Sequence, residues 1–135
     1  LGDVYKRQLY YEALPAIEEK EESQPTKESE GDRELEDEMA KLLLYLQQGV
    51  VLGDYAEALH IPERKLSVFI NSTYGVSFKR WVNNKRVEYA TEQMAKHPDY
   101  TMERIAELSG FAHKSHFCKI FREITGGSFT EYKNR

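Results

Sequence analysis

The chain has 135 residues, 31% of them charged and 40% hydrophobic, with a net charge of −4 and a single cysteine. One thiol builds neither a disulfide framework nor a zinc site, no run approaches the ~18–20 apolar residues that span a bilayer, and no secretory signal pattern is present. The acidic total argues against a polyanionic partner only until it is divided along the chain. Residues 1–39 hold 5 basic and 13 acidic side chains, a net of −8, whereas residues 40–135 hold 14 and 10, a net of +4. The charge that matters to a partner is that of the domain.

Residues 3–8, Asp3-Val4-Tyr5-Lys6-Arg7-Gln8, resemble one reading frame of the transposase mosaic-end adapter used in sequencing libraries. Residues 1–8 are therefore read as an adapter scar outside the fold. With no initial methionine, the chain reads as the C-terminal part of a longer protein. Residues 9–37 are expected to form an acidic, mostly disordered linker. From Glu18 to Glu38 the chain is rich in Glu, Ser, Lys and Gln around Pro25, too poor in apolar surface to offset the entropy of ordering.

A repeat begins after the leader. Tyr55-Ala56-Glu57-Ala58-Leu59-His60-Ile61, then Leu66, Ile70, Gly75, Ser77-Phe78 and Trp81, is echoed by Ile105-Ala106-Glu107-Leu108-Ser109-Gly110-Phe111, then Phe117, Phe121, Gly126, Ser128-Phe129 and Tyr132. Two units of this size, each small for an independent fold, point to a duplicated helical module. The first, residues 38–76, is expected to turn at His60, read as a left-handed turn residue before a ligand or base, and to open its second helix with Pro62 in the first turn. Ser77 to His97 is the connecting helix, with Phe78, Trp81, Val82, Val87, Ala90, Met94 and Ala95 at helical spacing and Pro98 as the stop. About 20 residues at 1.5 Å make a rod of roughly 30 Å, close to the ~34 Å turn of B-DNA.

In the second module, residues 98–135, Thr101 is placed to cap a short helix carrying Ile105, Ala106 and Leu108. Gly110 supplies a left-handed turn, and Phe111 plugs the corner. A second helix from Lys114 to Thr125 carries Phe117, Ile120, Phe121 and Ile124 on one face. Trp81, Phe117, Phe121 and Tyr132 are core by period. Cys118 is expected to pack partly buried, and Glu103 and Glu107 to lie on a solvent face. No Ser/His/Asp set, phosphate-cradling glycine loop or paired acid and base is present, so an enzyme is not expected.

Ile105-Ala106, Gly110-Phe111, Ser115, Phe117, Phe121, Gly126, Ser128 and Tyr132 together resemble the C-terminal signature of AraC/XylS-type transcription regulators, over roughly residues 38–135. Phe129 stands where that pattern has proline, Lys133 where it has arginine, and Val68 where related sequences carry an exposed polar or basic residue. The resemblance implies an all-α fold: two helix-turn-helix subdomains joined by a long connecting helix, behind the disordered acidic leader. It also implies a sequence-specific DNA-binding regulator that inserts two recognition helices in successive major grooves. The residues expected at DNA are His113, Lys114, Ser115, His116, Lys119 and Arg122 in the second module and Arg64, Lys65, Ser67 and Asn71 in the first. Amides near Thr101 and Asp54 are expected to add phosphate contacts, and Arg86 to pair with an acidic neighbour. No cofactor or metal is expected. The partners implied are double-stranded promoter DNA, RNA polymerase and an upstream sensor or dimerisation region, in the cytoplasm or on a membrane-anchored parent. The alternatives are the output domain of a membrane-anchored or hybrid two-component sensor and a degenerate protein-interaction module.

Overall fold

The computed structural model describes residues 30–134, which form seven α-helices and one short 3-10 turn, with no strand among the described residues. The adapter-like residues and the linker up to residue 29 lie outside them. The helices are α1 (Glu30–Lys41), α2 (Leu52–Leu59), α3 (Glu63–Tyr74), α4 (Phe78–Lys96), α5 (Met102–Leu108), α6 (Lys114–Thr125) and α7 (Phe129–Lys133); the 3-10 turn is Leu44–Leu46. Two compact units divide the chain, one of residues 30–42 and 51–81, the other of residues 43–50 and 82–134. The boundaries read from sequence are thereby redrawn. Residues 43–50 fall within the stretch assigned to the first module, yet they group with the second.

In the first unit, residues 30–37, expected from sequence to belong to a mostly disordered linker, are instead part of helix α1. Leu35 and Met39 stand four apart, and Met39 is almost fully buried, so a narrow apolar stripe anchors a helix whose average composition resembles a linker. At the start of α2 the Asp54 carboxylate accepts from the Val51 N–H at 2.9 Å, satisfying one of the unpaired amides of a helix start. The helix ends at His60, whose φ of 58° and ψ of 41° are left-handed as expected. Pro62 is the N-cap of α3, with φ −64° and ψ 146°, one residue ahead of the expected first-turn position. Its extended backbone stops α2 and α3 from merging. The core gathers Tyr55, Leu66, Ile70, Phe78 and Trp81. The Tyr55 ring meets Phe78 and Trp81 edge-on, at 5.8 and 5.3 Å between centroids, and its hydroxyl donates to the Leu42 carbonyl at 3.3 Å.

The second unit is built on α4 beyond Trp81, α5, α6 and α7. Thr101 Oγ1 accepts from the Arg104 N–H at 3.1 Å, the cap that starts α5. Ile105, Ala106, Phe111, Phe117, Ile120, Phe121 and Phe129 form one apolar cluster with Val87 and Ala90. Phe129 occupies the place of the signature's proline as a core ring, 6.0 Å from Phe117 and 6.1 Å from Phe121. Tyr132 is half-buried, edge-on to Phe121 at 5.5 Å. Cys118 is half-buried with Sγ 3.2 Å from Met102 Sδ.

The corner between α5 and α6 is fixed by close approach. Gly110 has φ +93°, and a Cβ there would lie 2.9 Å from both the Tyr45 and Leu46 carbonyl oxygens. Only glycine meets both demands. Arg86, 3% exposed, ties the same segment down: Nε donates to the Tyr45 carbonyl at 2.6 Å and Nη2 to the Gln47 carbonyl at 3.0 Å, while the guanidinium lies 5.3 Å from the Phe111 ring centroid. Where an acidic neighbour was expected, these two hydrogen bonds go to main-chain carbonyls. The planar guanidinium suits two diverging acceptors and a ring face together.

Candidate nucleic-acid interface

Helix α6 buries Phe117, Ile120 and Phe121, and that fixes what it presents on its other side. Ser115, Lys119 and Arg122, spaced i, i+4, i+7, form an exposed stripe opposite the phenylalanines. The side chains of Lys119 and Arg122 have no ion-pair or hydrogen-bond partner among the described residues. His113 is the exposed N-cap of the helix, in extended conformation with φ −134° and ψ 137°. Lys114 follows, also exposed, but its Nζ is 3.1 Å from Glu103 Oε1 on α5. Glu103 is held below the usual carboxylate range, first by its main-chain N–H at the helix start and then by Lys114. His116 is half-buried, its ring 5.6 Å from that of Phe111 at 73°. It braces the corner more than it faces solvent.

The first module offers a different surface. The one-residue shift in the repeat pairs Leu66 with Phe117, and therefore Arg64, Val68 and Asn71 with Ser115, Lys119 and Arg122. Arg64 is exposed, Val68 and Asn71 half-exposed. Ser67 is a correction: it is only 5% exposed, with a hydroxyl that has no hydrogen-bond partner among the described residues. One turn from Ile70, it lies on the inner flank of α3, where no base edge reaches. Lys65 is exposed but lines a shallow groove of about 460 Å³ that it shares with Asp32, Glu34 and Glu38 of α1. At the start of α2, where a phosphate contact was expected near Asp54, the Asp54 carboxylate itself accepts from the Val51 N–H.

The reading from sequence missed Glu103 as the partner of Lys114, a pairing 11 residues apart that no helical period announces. It also left out Glu63, which the same shift pairs with Lys114 and which places an acid where the second module has a base. Among the described residues no three His, Cys, Asp or Glu side chains gather as a metal site, and no helix is long and apolar enough to cross a membrane.

Residues 55–135 match a family model described as a helix-turn-helix domain. The chain belongs to this family, in its AraC-type form. The AraC-type domain is similar to the regulatory protein PocR of Salmonella typhimurium, 30% identical over 107 residues that cover 76% of this chain and 35% of PocR. It is likewise 30% identical over 80 residues to YijO of Escherichia coli, an uncharacterised transcriptional regulator, covering 59% of this chain and 28% of that protein. The chain thus spans about a third of the length of these relatives. Among solved structures, the C-terminal domain of AraT, a response regulator from Geobacillus stearothermophilus, superposes with a TM-score of 0.67 at 25% identity, covering 81% of this chain and 88% of that one. The DNA-binding domain of AdpA, solved with a target DNA, shares the fold with a TM-score of 0.64 at 22% identity, covering 74% and 89%.

Proposed function

We propose that this AraC-type domain binds double-stranded promoter DNA in a sequence-specific manner, with α3 and α6 as recognition helices in successive major grooves. The observation that carries the reading is the outward stripe of α6: Ser115, Lys119 and Arg122, exposed, their opposite face locked by phenylalanines. A rigid helix that presents two free cations and a hydroxyl in line suits base edges and phosphates together. His113 and Lys114 extend the stripe at the helix start, and Arg64 and Asn71 are the first module's contribution. The AdpA domain, which binds its target DNA with the same fold, supports the choice of partner.

Contact with RNA polymerase, a cytoplasmic setting and a sensing or dimerising region upstream belong to the same proposal, supported by relatives that are regulators about twice as long. A second reading, the output domain of a two-component protein, is favoured by the likeness to the AraT domain. A receiver domain in the upstream sequence decides for it.

The test is selection from a random duplex pool with the whole chain, followed by anisotropy titration against salt. An asymmetric motif with two half-sites about one turn apart is expected. Lys119→Ala should weaken binding more than Lys65→Ala and lower the salt slope by about 0.9 if its contact is to phosphate. No enrichment, with no binding even at low salt, would overturn the reading in favour of a protein-interaction module.

A further inference from the structure

We infer that the first module reads A·T base pairs, with Val68 against a thymine methyl and Asn71 on the edge of a neighbouring adenine. The inference rests on the DNA-binding reading above and deepens it by naming the base chemistry of one half-site. Three observations carry it. Val68 and Asn71 lie with Arg64 on one i, i+4, i+7 line of α3, while Leu66, Phe69 and Ile70 turn inward; the line is the outward one. Val68 is only partly buried on this line, so an aliphatic side chain stands where its counterpart in α6 is Lys119. Finally, the Asn71 carboxamide has no partner among the described residues, leaving its donor and acceptor available together.

The chemistry follows from what each group can recognise. An isopropyl group offers no hydrogen bond and no charge, so at a major-groove edge it discriminates only through the C5-methyl of thymine, the one apolar group displayed there. A carboxamide matches the N6 donor and N7 acceptor of adenine in a bidentate pair. Three residues of helix separate the two by about 4.5 Å along the axis, near the ~3.4 Å spacing of successive bases. The cationic α6 stripe suits guanine or phosphate instead, which makes the two half-sites chemically unlike.

The experiment uses the whole chain and its selected duplex. Each thymine of the half-site read by α3 is replaced singly by deoxyuridine, which removes the methyl and leaves pairing intact. One replacement is expected to weaken binding about fourfold, the transfer value of a methyl-sized group, and Val68→Ala should abolish that difference. Replacing the neighbouring adenine by 7-deazaadenine should cost the wild type roughly fivefold and Asn71→Ala much less. Specific binding with no thymine-to-deoxyuridine difference anywhere in that half-site, or a difference that survives in Val68→Ala, overturns the inference and leaves the DNA reading intact. Binding to no duplex at all overturns both.

Discussion

The two helix-turn-helix corners occupy equivalent places in the repeat and are built on opposite terms. His60 turns the first corner in a left-handed conformation with its side chain exposed. The strain is that of an L-residue at positive φ, about 1–2 kcal/mol, and nothing crowds the Cβ enough to forbid it. Gly110 turns the second corner beneath the Tyr45 and Leu46 carbonyl oxygens, which leave no room for a Cβ, and buried Arg86 holds that segment through the Tyr45 and Gln47 carbonyls. One bend is tolerated and the other is compulsory. Repetition in sequence therefore preserves the backbone path without preserving the environment that enforces it.

This difference is open to direct attack. The largest effect is expected from Arg86→Met, which strands two carbonyls and the face of Phe111. It should destabilise the domain by about 3–5 kcal/mol in denaturant unfolding, and a loss below about 1 kcal/mol would show that the clamp is dispensable. Gly110→Ala comes next, at about 2–4 kcal/mol, from positive φ plus the overlap with the Tyr45 and Leu46 carbonyls. His60→Gly should move the other way, raising stability by about 0.5–1 kcal/mol, because relief of the left-handed strain outweighs the entropy that the more flexible unfolded chain gains. A destabilising result there would mean that the His60 side chain contributes a contact beyond its backbone role. The smallest effect concerns the Lys114–Glu103 pair. Because the folded state holds the Glu103 carboxyl below its ordinary value of 4.5, its contribution is complete above that pH and fades as pH falls below it. Glu103→Gln should slightly flatten the acid limb of the melting temperature against pH, between about pH 5 and 3. An unchanged limb would show that the pair, exposed on both sides, adds nothing to folding.

What was legible in the sequence was whatever local period or capping chemistry encodes. Helix α6 runs from Lys114 to Thr125 as read, Thr101 caps α5, and His60 and Gly110 take left-handed turns. The repeat itself aligned α3 with α6. The helical state of residues 30–37 was missed because α1 rests on two apolar side chains, Leu35 and Met39, diluted among acids. Ser67 was misassigned because one step around a helix separates a buried flank from an exposed stripe, and a polar residue type does not reveal which side it takes. The partners of Arg86 and Lys114 could not be read at all. Both are long-range contacts between segments 39–41 and 11 residues apart, fixed by packing rather than by period.

The clamp at Gly110 has a consequence for how this protein can be cut. The carbonyls that Arg86 holds belong to Tyr45 and Gln47, emitted by the ribosome before the first helix-turn-helix, yet they complete the second. No single scission of the chain separates the two modules intact. A gene fragment beginning at the connecting helix would encode every residue of the second repeat and still lack the piece that closes its corner. A duplicated origin thus no longer implies interchangeable parts, and swapping modules between relatives would require carrying residues 43–50 along with the half they serve rather than the half they precede.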